Sequence, residues 1–266
     1  MMTAASHFES LRFAVELLVL GTIFSLESAT PLFERDFNGR IAHAFPNLFF
    51  GIFNSAVIAY LFSALTLQAI RWSAGHSFGL LYQVNMPIGL KTFFGFLIYD
   101  GWMYAWHRAN HTMPFFWRFH RMHHSDPALD VTSALRFHTG EIIFSSILRV
   151  LVLMALGMSA VQLMVYEICL QPVILFHHSN IRLPEKIDRI VRTVIVTPNM
   201  HRVHHSVDIS ETNSNYASVF SFWDRIFRTF RKREDVRKIN FGLPDFKAAD
   251  WQSIGGMFRT PLAKVS

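Results

Sequence analysis

Asp100-Gly101-Trp102-Met103-Tyr104-Ala105-Trp106-His107-Arg108-Ala109-Asn110-His111-Thr112-Met113-Pro114-Phe115-Phe116-Trp117-Arg118-Phe119-His120-Arg121-Met122-His123-His124 closes an apolar run that opens near Ile88. A second His-x-x-His-His stands at His201-Arg202-Val203-His204-His205. These three clusters hold 8 of the chain's 14 histidines. At that histidine content, chance produces one His-x-x-His-His in about 25 such chains. Two of them beside a His-x-x-x-His mark chemistry. Neutral imidazole is the commonest side-chain ligand for zinc, iron and copper. On a helix, positions i, i+3 and i+4 share a face, so each triplet is expected to aim its three rings at one point.

The rest of the composition supplies the setting. The chain is 51% hydrophobic with 27 Phe, a mean hydropathy of +0.26 and only 17% charged residues. Soluble domains carry about 25%, so a bilayer is the expected solvent for much of it. The single cysteine, Cys169, excludes an intrachain disulfide and a cysteine-based zinc or iron–sulfur site; it lies in an apolar stretch and is expected to pack there. The net charge of +6 does not have the distribution of a nucleic-acid surface. Its densest run, Arg231-Lys232-Arg233-Glu234, reads as a solvated juxtamembrane face attracted to anionic lipid.

Working outward, the clearest membrane span runs from about Ala44 to Ile70, uncharged between Arg40 and Arg71 and longer than the roughly 20 residues a crossing needs. A weaker one covers about Arg12 to Ala29, interrupted by Glu16 and Glu27; with one preceding basic residue and no clean cleavage site, it reads as a retained helix. A third covers Ile88 to Trp106 after Pro87. The region Ile142 to Phe176, split by Gly157, reads as a helical hairpin, crossing or re-entrant. The expected fold is therefore all-α: a polytopic membrane protein of about four transmembrane helices, the last two a hairpin, below a cytosolic His-rich helical cap. Residues 1–266 form one domain. Lys/Arg asymmetry orients it. Arg108, Arg118, Arg121 and Arg136, with fifteen Lys/Arg in residues 177–266, place all the His clusters on the cytoplasmic side.

Asp100, Tyr104, His107 and His111 share one helix face. A carboxylate inside an apolar span is costly and marks a functional site. Asp100 is expected to accept the N–H of a ligating histidine and fix its tautomer; the bland alternative is an ion pair with Arg108. His177 and His178 end the hairpin, and one of them is expected to be a ligand. His138, in Arg136-Phe137-His138-Thr139-Gly140-Glu141, divides evenly between supporting a ligand and capping a helix. His7, His43 and His76 have no suitable neighbours. Eight or nine ligands are too many for one tetrahedral zinc and suit two ions. The absence of His-Glu-x-x-His weighs against a zinc peptidase, and a haem would use only one or two of these histidines.

At these residues the chain resembles the fatty acid hydroxylase superfamily, the sterol desaturase branch of membrane di-iron oxygenases. The resemblance covers about residues 85–240. It rests on Asp100-x-x-x-Tyr104-x-x-His107-Arg108-x-x-His111, Phe116-Trp117-Arg118-Phe119-His120-x-x-His123-His124-Ser125, Arg136-Phe137-His138-x-x-Glu141 and His178-Ser179-Asn180-Ile181-x-Leu183-Pro184. Thr197-Pro198-x-x-His201-Arg202-x-His204-His205 and Asn215-Tyr216-Ala217-Ser218 with Trp223-Asp224-Arg225-Ile226-Phe227 complete it. The resemblance implies a lipid hydroxylase or desaturase that uses O2 and two electrons at two iron ions, zinc being a substitute in preparations. His107, His111, His120, His123, His124, His178, His201, His204 and His205 carry over as ligands, with Asp100, Tyr104, His138 and Glu141 around them. Thr139-Gly140 stands where the family more often has Pro-x, and Ala217 and Arg228 where it has Gly.

No haem or flavin domain is visible, so a separate electron-donating reductase is expected, with the basic cap suited to an acidic donor. A lipid substrate and a membrane, bacterial inner membrane or endoplasmic reticulum, complete the expected partners; nucleic acid is not among them. Trp102, Trp106, Phe115, Phe116 and Trp117 either line a lipid channel or anchor at the interface. A zinc-dependent lipid hydrolase and a non-catalytic metal-binding or transport protein are the alternatives.

Overall fold

The computed structural model describes residues 2–264, with side chains from Phe13 onward; His7 and Arg12 lie outside the described side chains. Among the described residues helices dominate, and extended backbone pairs only at isolated bridges, Pro31 with Ile181 and Ile195 with Phe220. The first helices are α1 (Met2–Ala29), α2 (Phe37–Leu61), α3 (Ser63–Gly75), α4 (Leu80–Gln83) and α5 (Ile88–Thr112). The expected single span from Ala44 to Ile70 is broken at Phe62 between α2 and α3. Asp36 fixes the start of α2 by accepting the Gly39 N–H, which satisfies one of the orphan donors of a helix N-terminus.

Next come α6 (Pro114–His124), α7 (Thr139–Leu156) and α8 (Ala160–His178). Among the described residues, three helices, α2, α7 and α8, are long and apolar enough to cross a bilayer. Gly157 joins α7 to α8 in the left-handed region, at φ +71°, where a β-carbon would also meet the Phe78 carbonyl at 2.9 Å. The arms do not pack as a tight hairpin. Helix α7 lies on α2 and α3, and α8 on α1. Tyr99 of α5 enters between the arms, in one core cluster with Leu153 and edge-on to Tyr166. Side chains bridge the remaining gap, Arg149 to Glu167 at 2.8 Å. Cys169 is exposed on α8, not packed in the core as its apolar surroundings suggested.

The cap is built from α6, a 3₁₀ turn (Val131–Leu135), and the short helices α9 (Glu185–Val191), α10 (Pro198–His204), α11 (Ile209–Thr212), α12 (Phe222–Ile226) and α13 (Ile254–Arg259). Pro114 opens α6 and Pro198 opens α10, positions where proline's missing N–H costs nothing. Two buried arginines fix these segments by donating to backbone carbonyls. Arg136 reaches Met122 O at 3.0 Å, and Arg202 reaches Ser179 O and Ile181 O at 2.7 and 2.8 Å. Such bonds answer the desolvation of a guanidinium, and here they tie the His-bearing segments to one another.

Candidate metal centre

The histidine triplets do not each converge on one point. His107, His111, His120, His124 and His204 form one group, and His123, His178, His201 and His205 form another; in each group the ligand atoms lie within 4.8 Å of one another. Helix geometry explains the division. At 100° per residue, i and i+4 differ by about 40°, whereas i+3 and i+4 diverge by about 100°. Helix α6 therefore sends His120 and His124 to the first group and His123 to the second. The α10 segment does the reverse, sending His201 and His205 to the second and His204 to the first. Helix α5 adds its i, i+4 pair to the first group, and α8 adds His178 to the second. The groups adjoin, with ring centroids 4.5 Å apart for His124–His205 and 5.1 Å for His201–His204.

The donor set fits metal ions. In the first group Nε2 of His107, His120 and His204, and both ring nitrogens of His111 and His124, are buried without a hydrogen-bond partner. Buried polar atoms are normally satisfied. In the second group Nε2 of His178 lies 3.1 Å from His123 Nε2 and 3.0 Å from His201 Nε2, which is 3.1 Å from His205 Nε2. Protonation is the other way to occupy such nitrogens, and burial opposes it. Burial first, then mutual repulsion, pushes His123, His124, His201 and His205 well below the usual imidazole range, and burial brings His204 down to about 3. These five rings are neutral near pH 7, the state that binds metal.

Several rings are locked from behind. His107 Nδ1 donates to Tyr216 O at 2.8 Å, His204 Nδ1 to Ser214 O at 2.7 Å and His178 Nδ1 to Ile174 O at 2.8 Å. His120 Nδ1 lies 2.9 Å from Glu141 Oε1, and Asn110 also donates to that oxygen. An acceptor at Nδ1 fixes the tautomer that leaves the Nε2 lone pair facing the group. Glu141 thus stands where an orienting carboxylate is needed.

Asp100 does not. Its carboxylate accepts from Tyr166 OH (3.0 Å), Val219 N (3.3 Å), Phe220 N (3.1 Å) and Trp223 Nε1 (2.9 Å), and no histidine is among its partners. Sharing a helix face with His107 was not enough. Asp100 lies seven residues earlier, about 10 Å along the axis, where it fastens α5 to the 219–223 strap. Arg108 is not its partner either. Tyr104 likewise turns from the histidines, its OH 2.8 Å from Thr229 Oγ1.

His138 caps α7, its Nδ1 accepting from Gly140 N at 2.9 Å and its Nε2 donating to Phe258 O at 3.2 Å. The residue after Thr139 has to be small, because a β-carbon at Gly140 would meet the Phe119 ring at 2.6 Å. His177 lies against His178 and His201, ring centroids 4.6 and 4.0 Å apart, but belongs to neither group. His76 is an exposed ring stacked on Trp72.

His43 is the residue that sequence reasoning missed. Its Nε2 lies 2.7 Å from Asp126 Oδ1 and its Nδ1 2.9 Å from Asp130 Oδ2. Although burial works the other way, His43 and Arg136 hold the Asp126 carboxyl far below its usual range. No local motif announces this bridge. The spacing of Asp126 and Asp130 behind His124 is its only trace in the sequence.

The first group borders the surface and the second does not. His107 and His111 are half-buried, while all four rings of the second group are buried. Trp117 covers the open side, its ring centroid 5.1 Å from His111 and 5.4 Å from His124. Beyond it Phe115, Phe116, Phe119 and Phe144 form edge-to-face contacts, with Trp106 against Phe116.

Comparison with known proteins places this centre in context. A family model described as Fatty acid hydroxylase matches residues 92–229, which include all nine grouped histidines. Ornithine lipid hydroxylase of Rhizobium tropici is 30% identical over 162 residues, covering 59% of this chain and 46% of that protein. Human alkylglycerol monooxygenase is 30% identical over 153 residues, 56% of this chain and 32% of its own. Cholesterol 25-hydroxylase of Rattus norvegicus is 24% identical over 136 residues, 51% and 45%. The match thus spans less than half the length of each of these relatives. No solved structure matches the chain.

Proposed function

The chain belongs to the fatty acid hydroxylase family, and from that premise we propose that it is an integral membrane oxygenase acting on a lipid C–H bond. It hydroxylates or desaturates a sterol or fatty acyl substrate with O2 and two electrons, using two iron ions. The observation that supports this reading is the division of nine imidazoles into adjacent groups of five and four with nitrogens left unsatisfied. Relatives named for ornithine lipid, alkylglycerol and cholesterol make a lipid the substrate class.

His107, His111, His120, His124 and His204 would hold one ion, and His123, His178, His201 and His205 the other. Iron bound there supplies oxygen activation and hydrogen abstraction from an unactivated carbon. The chain supplies the rest. Glu141 and the carbonyls of Tyr216, Ser214 and Ile174 hold ring orientation and tautomer. Trp117 and the phenylalanines behind it exclude water on the half-open side of the five-histidine group and give an acyl chain or sterol an apolar approach.

In the same reading α1 and α5 cross the bilayer beside α2 and the α7–α8 pair, with the His-bearing cap cytoplasmic. A separate reductase delivers electrons to the cap. The deciding experiment is metal and product analysis of the purified protein in lipid. About two iron ions per chain and a lipid product that takes oxygen from O2, or gains a double bond, are expected. Zinc with a hydrolysed lipid would replace the oxygenase by a hydrolase. One ion or none in an active preparation would end the dinuclear reading. For topology, cysteines placed at the exposed positions of Arg118 and Lys238 should label from the same side; opposite sides would refute the orientation.

A further inference from the structure

An apolar face of the cap is exposed where the cap approaches the helices. Ile187, Ile190, Val194, Ile226 and Phe227 are 50, 70, 56, 60 and 47% exposed. Ile187 and Ile190, three apart on α9, share a face. The segment after α9 is joined to α12 through Ser221 N to Val194 O (3.1 Å), Arg225 to Arg192 O (2.8 Å) and the Ile195–Phe220 bridge. Phe227 then stacks on Tyr104 of α5 at 4.9 Å. With Tyr104 and Arg108 it lines a groove of about 260 Å³ along α5. The apolar face therefore continues onto a helix of the membrane core.

Depth and charge identify what covers it. Phe220 N and Trp223 Nε1 are bound to Asp100, about 10 Å along α5 from His107 on the side away from the cap. The strap carrying Ile226 and Phe227 is thus drawn toward the bilayer, below the level of the histidines. Lys186, Arg189 and Arg228 are exposed around the patch. None of them has a carboxylate within 4.0 Å among the described residues. The acids of the same segment are engaged elsewhere: Asp188 is buried with Arg192, Glu185 pairs with Arg192 and Lys232, and Asp224 is buried. The outward face carries apolar groups and unpaired positive charge, the pattern of a surface lying in an anionic headgroup layer.

We infer that Ile187, Ile190, Val194, Ile226 and Phe227 lie in the interface of the protein's own membrane. Lys186, Arg189 and Arg228 meet anionic lipid phosphates there. This seats the cap against the bilayer, and it rests on the membrane topology proposed above.

Spin labels at single cysteines, introduced into full-length protein carrying Cys169→Ala in nanodiscs, test it. Ile190→Cys and Phe227→Cys report the patch; Ile52→Cys, 73% exposed in the middle of α2, reports the bilayer interior, and Lys238→Cys reports water. The ratio of oxygen to nickel-chelate accessibility at 190 and 227 should fall between the references. It should move toward the Ile52 value when phosphatidylglycerol replaces phosphatidylcholine. Lys186→Gln with Arg189→Gln should abolish that movement at 190. Labels at 190 and 227 as accessible to nickel as 238, beside a lipid-buried 52, overturn the inference alone. That result would leave the face to a soluble partner or a second copy. A water-exposed 52 overturns the topology and this inference with it.

Discussion

The two histidine groups are built from the same residue type and share two of their three segments, yet they differ in enclosure and in support. The five-histidine group takes two members from α5 and has a half-open side behind Trp117. A carboxylate and two backbone carbonyls lock three of its rings. The four-histidine group is wholly buried, and only His178 has its Nδ1 on an acceptor. Donor number and access are therefore divided between them. One group can lose a ligand and still offer four nitrogens; the other cannot. On the proposed reading, a lipid approaches from the half-open side of the five-histidine group.

The sharpest way to break this comparison is to remove one ligand from each group. His205→Ala should reduce bound metal from about two ions to about one and abolish turnover, because three nitrogens remain in a closed site. His111→Ala should keep most of its metal and lose activity only in part. Metal content measured beside lipid oxidation decides it; equal metal loss in the two variants would erase the difference between the groups.

His43→Ala is the next largest effect. Removing the bridge between buried Asp126 and Asp130 leaves two carboxylates without their common partner, a change that costs about 3–5 kcal/mol in buried pairs. Thermal unfolding in detergent should show it, with a normal melting profile arguing that water replaces the imidazole. Glu141→Gln comes third. Loss of the carboxylate behind His120 should weaken metal retention by about 10–100-fold in the five-histidine group and leave the other intact. Chelator titration resolving the two ions separates these outcomes. Asp100→Asn should do least to metal. It disturbs a carboxylate that accepts four hydrogen bonds from the α8 and strap side, at a cost of about 1–3 kcal/mol in stability. If metal is released at unchanged stability, Asp100 acts on the ligands after all.

The contrast between Asp100 and Glu141 shows where sequence patterning stops. Both were candidates for orienting a histidine. Asp100 was favoured because it shares a helix face with His107 and His111, but angular position ignores distance along the axis. Glu141 enters only through the family resemblance, because nothing in the chain says that α7 begins beside α6. The break at Phe62 was similarly hidden, since an uncharged run from Ala44 to Ile70 carries no charge to mark it.

The sequence by itself determined that this chain is helical, apolar enough to contain candidate membrane helices, and furnished with nine clustered imidazoles. Those properties reside in composition and in spacings along one segment, and they hold whatever the segments pack against. Tertiary structure alone decided how the nine are shared. His123 parts from His120 and His124, and His204 from His201 and His205, because the 100° between consecutive positions sends neighbours toward different partners once α5, α6, α8 and α10 are brought together. It also decided that His43 bridges two aspartates contributed from more than 80 residues away. A bond between such distant positions has no local periodicity and exists only in the packed chain.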